Sequence, residues 1–164
     1  LFQLTDAFTQ FHFHYIKENK YQDETFWTNS LNSGKYRAWS GYAFEILCLN
    51  HIRQIKQALG ISGIQSRACC WSSKGDDSHR GAQIDLIIDR ADQTVNICEM
   101  KFYRSEYDIT KSDAEDLDKK LDIFLRQTNT RKSLMLTLIT SFGIKQGKYS
   151  GRVQAQVTLE DLFK

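Results

Sequence analysis

The sequence lacks several features that would place it in a special structural class. It contains no proline, and its four cysteines show no Cys-x-x-Cys spacing. That is too few and too scattered for a disulfide framework, and it suits reduced, packed thiols. No apolar run approaches the roughly 20 residues of a membrane-spanning helix, and no signal peptide is visible. The sequence therefore predicts a cytoplasmic protein without a membrane partner.

What is present is the composition of a globular protein. The chain has 164 residues, of which 41% are hydrophobic and 26% charged, and its mean hydropathy is −0.49. This length suffices for one domain with a substantial core. The first residues are Leu-Phe-Gln rather than methionine, so we expect a piece of a longer protein. The net charge of +2 permits a nucleic-acid partner through a local basic patch but does not by itself indicate one.

The spacing of apolar residues predicts alternating helices and strands. A helix is predicted from Gly41 to Leu59, with Ser40 as its N-cap and Gly60 after its end. The other predicted elements are a strand over 61–71, a hairpin over 81–102, a helix that opens with the capping box Ser112–Glu115, a strand over 133–141, a strand over 153–157 and a short terminal helix. This order predicts an α/β fold in which helices flank a mixed central sheet.

The helix after the hairpin has a clear apolar stripe. The stripe consists of Ala114, Leu117, Leu121, Phe124 and Leu125. The cations of the same helix, Lys119, Lys120 and Arg126, are expected on its solvated face, with contact of one of them to phosphate as the alternative.

The hairpin contains charged residues where apolar ones are expected. Side chains alternate along a strand, so Glu99 and Lys101 continue the face that begins with Val95 and Ile97. If the turn centres on Asp92, Asp85 lies across from Glu99 on the same face. Like charges placed opposite each other destabilise a sheet, and a divalent cation between the carboxylates would reverse that effect. The pattern therefore predicts a metal site.

Such a site suits phosphodiester hydrolysis. Mg²⁺, or Mn²⁺ in its place, takes a few carboxylate oxygens and keeps several waters, and it can polarise phosphate and activate water. The predicted ligands are Asp85, Glu99 and the Met100 backbone carbonyl. Lys101 is expected to stabilise hydroxide or the pentavalent transition state. Glu45 can reach the same centre from the preceding helix.

Two further residues are weaker candidates for the same site. Gln83 shares the predicted face of Asp85, so it would line the site as an accessory residue. His79 lies in the polar loop before the hairpin, where a histidine is more often a bystander than a participant.

The order of the four charged residues resembles that of the PD-(D/E)xK nuclease superfamily, which has a restriction-endonuclease-like αβββαβ core. The resemblance implies a Mg²⁺-dependent endonuclease that acts on DNA. It implies that Asp85 and Glu99 are the motif acids, that Lys101 is the motif lysine, and that Glu45 is the frequent helical acid, so that all four are catalytic. Ile84 stands where the motif name has proline, which makes the match less specific.

More narrowly, the stretches 39–45, 81–90 and 98–102 are similar to the C-terminal nuclease-like domain of certain prokaryotic AAA-type ATPases. This resemblance covers residues 36–163. It implies that residues 39–164 form the nuclease-like domain, and that residues 1–38 are a helical, aromatic segment following an ATPase and winged-helix region of the same chain. No Gly-rich phosphate-binding loop occurs here, so ATP hydrolysis by that mechanism is not expected of this piece.

Two alternatives remain open. The domain can be an inactive nuclease-fold module that binds DNA or regulates an attached ATPase. It can also be an interaction domain in which Glu99 and Lys101 form a structural ion pair and Asp85 is an edge carboxylate. Nucleases that cut both strands of a duplex often form dimers, so a homodimer is compatible with the endonuclease prediction.

Overall fold

The computed structural model describes residues 6–19, 23–75 and 81–164. The chain divides into two compact units, Leu1–Leu47 and Cys48–Lys164. The division falls inside a helix, nine residues after the boundary at 38/39 that the sequence suggested. Glu45 therefore belongs to the first unit, whereas Asp85, Glu99 and Lys101 belong to the second. The two units are described separately.

The first unit is helical and aromatic, as the sequence indicates. It contains α1 (Ala7–Phe11), a π-helical turn (His12–Ile16), α2 (Phe26–Ser30) and most of α3 (Gly34–Asn50). Aromatic rings pack edge to face inside it: the ring centroids of Trp27 lie 4.9 Å from those of Phe11 and 5.2 Å from those of Tyr15. Such pairs stabilise beyond the area they bury, so the segment has an aromatic core of its own.

The predicted helix over 41–59 is in fact two helices. α3 ends at Asn50 and α4 spans Ile52–Ala58, with His51 between them outside helical geometry. Ser40 is not an N-cap, because α3 begins at Gly34 and the Ser40 hydroxyl donates to the Arg37 carbonyl within the helix. The end at Gly60 is confirmed. Its φ of +69° allows the amides of residues 60 and 61 to bond back to the carbonyls of residues 57 and 56, which is a Schellman motif.

The second unit is built on a five-stranded mixed sheet flanked by helices. Its elements are β1 (Ser66–Ser73), β2 (Ala82–Arg90), β3 (Thr94–Lys101), α5 (Lys111–Thr128), β4 (Ser133–Thr140) and β5 (Ala155–Thr158). The strands lie in the order β1-β2-β3-β4-β5. The first three are antiparallel, and β4 and β5 run parallel to β3. The predicted α/β class, the mixed sheet and the parallel strand after the second helix are confirmed.

Helix α5 begins earlier than predicted. Its capping box is formed by Thr110 and Asp113, not by Ser112 and Glu115: each of the first two accepts a hydrogen bond from the other's backbone amide. The apolar stripe is confirmed except at one position. Ala114, Leu117 and Phe124 are buried and Leu121 is partly buried, but Leu125 is 39% exposed. The apolar arc is therefore narrower than the sequence suggested.

The hairpin register agrees with a turn centred on Asp92. Leu86 pairs with Cys98 and Asp89 pairs with Val95. Residues 91–93 form a three-residue turn in which Gln93 adopts φ of +63°, the left-handed residue that such turns require. On the other side of β2, pairing with β1 is interrupted by a bulge between Cys69 and Trp71.

The second unit also contains α4, an isolated parallel bridge between Tyr107 and Ile144, and two short 3₁₀ turns, Ser150–Arg152 and Glu160–Phe163. Across the ranges that the structure describes, no helix is both long and apolar enough to cross a bilayer.

Candidate functional site

The charged end of β3 faces α5. Val95 and Ile97 pack in one cluster with Phe124 of α5, so the face on which they alternate lies under this helix. Glu99 and Lys101 continue that face to the carboxyl end of the strand. Glu99 is only 5% exposed. A carboxylate buried to this extent needs charged or hydrogen-bonding partners.

Two lysines supply the partners of Glu99. The Lys120 ammonium on α5 lies 2.6 Å from each carboxylate oxygen, and the Lys101 ammonium lies 3.0 Å from Oε1. Hydrogen bonds between charged groups are shorter and stronger than neutral ones. The Glu99 carboxylate is therefore held from the helix above and from its own strand.

Asp85 completes the charged cluster from β2. Its Oδ2 accepts a hydrogen bond of 2.8 Å from the backbone amide of Met100, the residue between Glu99 and Lys101. Burial raises the pKa of Asp85, and the negative charge of Glu99 raises it further, whereas the Met100 amide, Lys120 and Lys101 act in the opposite direction. The two carboxylates thus interact electrostatically across neighbouring strands, as the sequence predicts.

Lys101 is cationic in this setting. Burial is the largest single influence on its pKa and lowers it, but the combined effect of the Glu99 charge, the hydrogen bond to Glu99 and the Asp85 charge exceeds it. The pKa of Lys101 is therefore raised overall. A lysine in this state donates hydrogen bonds and offsets negative charge, and it does not accept a proton near neutral pH.

A cavity of about 110 Å³ opens beside these groups. It is lined by Glu99, Lys101, Tyr107, Asp113, Asp116, Leu117, Lys120 and Leu138. Burial, followed by the charge of Asp113, raises the pKa of the Tyr107 hydroxyl well above its usual range, so this phenol stays protonated. Tyr103 stacks on the Tyr107 ring with centroids 4.7 Å apart. The cavity thus combines two ammonium groups, a phenol and carboxylates at its walls.

Three further candidates are Glu45, Gln83 and His79. Glu45 is half-buried on α3 in the first unit. Gln83 is exposed, and beside the bulge it is Ile84, rather than Gln83, that shares a cluster with Ile87. His79 lies outside the described residues.

Sequence reasoning missed Lys120, which it assigned to the solvated face of its helix. The sequence did contain an indication that the Lys120 side chain could reach inward. Lys120 lies three residues after Leu117 and four before Phe124, both of which are buried, so it stands at the edge of the apolar stripe. A long side chain at such an edge can reach inward while its stem packs on apolar neighbours. Its acidic partner, on a strand distant in sequence, could not be identified from this spacing.

The carboxylates of the cluster form a pair rather than a larger group of metal ligands. Among the described residues, no group of three or more His, Cys, Asp or Glu side chains converges to hold an ion. Asp85 and Glu99 form a pair, with the Met100 backbone beside them. Mg²⁺ is commonly bound by one or two carboxylates and several waters. The residues present therefore fit Mg²⁺ or Mn²⁺ bound by two carboxylates and completed by water molecules. They do not fit an ion that is bound by protein side chains alone.

The chain has few detectable similarities to known proteins. No family model matches the chain, and no curated protein matches it. Among solved structures, the chain is similar to the crystal structure of the protein of unknown function AF1548, with 15% sequence identity and a TM-score of 0.48. The alignment covers 71% of this chain and 64% of that chain, so it spans less than two thirds of that protein's length. A likeness of this size bears on neither the site residues nor the activity.

Proposed function

We propose that the second unit is a metal-dependent phosphodiesterase, a DNA endonuclease domain of the PD-(D/E)xK type. The observation that carries the proposal is the meeting of Asp85 and Glu99 on adjacent strands with Lys101 and Lys120 at the wall of one cavity. The αβββαβ order of elements, which has the arrangement of that superfamily's core, supports it.

Asp85, Glu99 and the Met100 carbonyl are the proposed ligands of Mg²⁺ or Mn²⁺. The amide and carbonyl of one strand residue point to the same side of the strand. Because the Met100 amide points to Asp85, the Met100 carbonyl faces the same side. When bound, the cation supplies positive charge at the phosphate and lowers the pKa of water.

The residues of the chain have separable roles in this reaction. Lys101 stays cationic beside Glu99, so it stabilises the negative charge that builds on the phosphorus oxygens rather than removing a proton. The Tyr107 hydroxyl at the cavity wall is neutral and donates a hydrogen bond to Asp113. The cavity, at about 110 Å³, has room for a phosphate group rather than for a whole nucleotide. The rest of a DNA strand would lie across its opening.

The domain is also proposed to be part of a larger protein. By its resemblance to such proteins, the chain is proposed to be the C-terminal part of a larger cytoplasmic AAA-type ATPase. The first unit would then connect the ATPase region to the second unit. Glu45 remains a proposed fourth catalytic residue from that unit. A homodimer would allow both strands of a duplex to be cut.

The test is nicking of supercoiled plasmid by the 164-residue chain in Mg²⁺, in Mn²⁺ and in EDTA. Glu99→Ala is expected to abolish metal-dependent nicking, and Lys101→Ala to slow it by about 10²–10³-fold, the usual effect of removing one donor to a developing oxyanion. Glu160→Ala and Lys111→Ala are the matched controls, because these side chains are exposed. Undiminished cleavage by both site variants would refute the proposal.

One observation favours a second candidate, a catalytically inactive module that binds DNA or regulates the attached ATPase. Both Glu99 oxygens are already occupied by Lys120, and the described residues hold no third acidic ligand. This candidate predicts DNA association without cleavage. Fluorescence anisotropy with labelled DNA, run with the nicking assay, decides: binding with no turnover in either metal favours the module, and metal-dependent turnover excludes it.

A further inference from the structure

Lys120 occupies the position that a cation would take at Glu99. Its ammonium contacts both carboxylate oxygens at 2.6 Å, and its charge also favours the ionised form of Asp85. The backbone of Lys120 is fixed by α5, whose buried Leu117 and Phe124 lie one turn to either side. The lysine is thus held in place by the helix packing as well as by its partner.

The formal charges of the four residues at Glu99 balance one another without a metal ion, and Asp113 and Asp116 add two further carboxylates at the cavity wall. Asp85 and Glu99 each contribute one negative charge, and Lys101 and Lys120 each contribute one positive charge. A divalent cation added to this arrangement meets an ammonium on the oxygens that it needs, and the two cations repel each other. Metal binding and the Lys120–Glu99 contact are therefore in competition.

We propose that Lys120 is an internal counter-ion that holds Glu99 in the metal-free protein and must leave it for a divalent metal to bind. The inference rests on the proposed function. Lysine carries its charge on a flexible four-carbon stem, and the Lys120 side chain is 25% exposed, so its ammonium can turn from Glu99 into the cavity. Asp116, one turn earlier on α5, lines the same cavity; one of its oxygens contacts Lys119 at 3.2 Å, and the other can accept from the Lys120 ammonium. Released there, the ammonium can bind a phosphate oxygen of the substrate.

The test compares Mn²⁺ binding by titration calorimetry in the wild type, in Lys120→Met and in Lys111→Met. Methionine keeps the length of the stem and removes the charge. Lys111 is the matched control, since it is a lysine of α5 whose side chain is 76% exposed and whose partner Glu115 does not line the cavity. Lys120→Met is expected to bind Mn²⁺ at least about tenfold more tightly than the wild type, and Lys111→Met to bind as the wild type does.

Thermal unfolding supplies a readout independent of activity. Without its counter-ion, Lys120→Met is expected to melt below the wild type in EDTA and to recover most of that loss at saturating Mn²⁺. The wild type is expected to gain less from the metal. A variant whose melting temperature is equally low with and without Mn²⁺ would show that Lys120 is structural only, and the inference would fail.

The calorimetric outcomes separate this inference from the proposed function. If Lys120→Met binds Mn²⁺ with equal or weaker affinity than the wild type, the proposed competition between Lys120 and the metal is refuted, but the proposed metal site is not. No Mn²⁺ binding by either the wild type or Lys120→Met overturns both.

A measurement on the wild type covers the case in which Lys120→Met does not fold. The hydrogen-bonded ammonium of Lys120 is expected to give a ¹H–¹⁵N signal in the metal-free protein, because its protons are protected from rapid exchange. Diamagnetic Mg²⁺ at saturation is expected to abolish or shift that signal. An unchanged signal in the Mg²⁺-bound protein would contradict the displacement.

Discussion

Replacing Glu99 by glutamine tests how much the charged cluster contributes to stability. The change preserves the shape of the side chain but removes the negative charge that two lysines share. Glutamine also turns an amide group, a donor, toward an ammonium that needs an acceptor. We therefore expect Glu99→Gln to lower the free energy of unfolding in the absence of metal.

The expected size follows from the exposure of the three partners. Breaking a fully buried ion pair by removing one member costs about 3–5 kcal/mol. Glu99 is 5% exposed, but the side chains of Lys120 and Lys101 are 25% and 37% exposed and can be partly rehydrated. The loss should therefore be smaller, about 2–3 kcal/mol. For a chain of this length it corresponds to a fall in melting temperature of roughly 5–10 °C.

The assay is urea unfolding in EDTA, followed by circular dichroism. Glu160→Gln is the control: its partner Lys164 is 3.3 Å away, but its side chain is 81% exposed, and such surface pairs contribute about 0–1 kcal/mol. If Glu99→Gln unfolds within about 0.5 kcal/mol of the wild type, the size of a measurable surface effect, the reasoning is wrong. The cluster would then be hydrated in solution.

Two further predictions concern Asp85 and the stripe of α5. The raised pKa of Asp85 means that the folded state binds its proton more tightly than the unfolded chain does, so ionised Asp85 reduces stability as pH rises above the ordinary value of 3.8. Asp85→Asn can still accept the hydrogen bond from the Met100 amide. In EDTA near neutral pH it should therefore unfold at a higher urea concentration than the wild type, and this difference should disappear below pH 3.8. A lower urea midpoint than the wild type at neutral pH would contradict the prediction. Phe124→Ala should cost about 3–5 kcal/mol and Leu125→Ala much less, because only the first is buried; equal losses in urea unfolding would contradict the packing of α5.

Sequence reasoning succeeded where a local pattern decides the structure. The hairpin register follows from the alternation of apolar residues along β3 and from the turn around Asp92, because a shift by one residue would turn the apolar face to solvent. The Schellman motif at Gly60 likewise depends on the one residue type that adopts positive φ without strain. Both features are confirmed.

It failed where several local choices are nearly equal. Thr110–Asp113 and Ser112–Glu115 are both acceptable capping boxes, and α5 forms the first. The sequence prediction also assumed unbroken alternation along β2, whereas a bulge interrupts the pairing of β1 with β2 beside Cys70. A bulge is an adjustment between two strands, and one strand's sequence does not reveal it.

By itself, the sequence determined the α/β class, the order of elements and the placement of Asp85, Glu99 and Lys101 on one hairpin, because periodicity and turn chemistry act over a few residues. Only the tertiary structure decided what faces that hairpin. The crossover of α5 between parallel strands brings Lys120 from 21 residues away onto both oxygens of Glu99. Charge on a buried carboxylate must be balanced by whatever cation the fold brings near it. That balance depends on distances in space, which spacing along the chain does not specify.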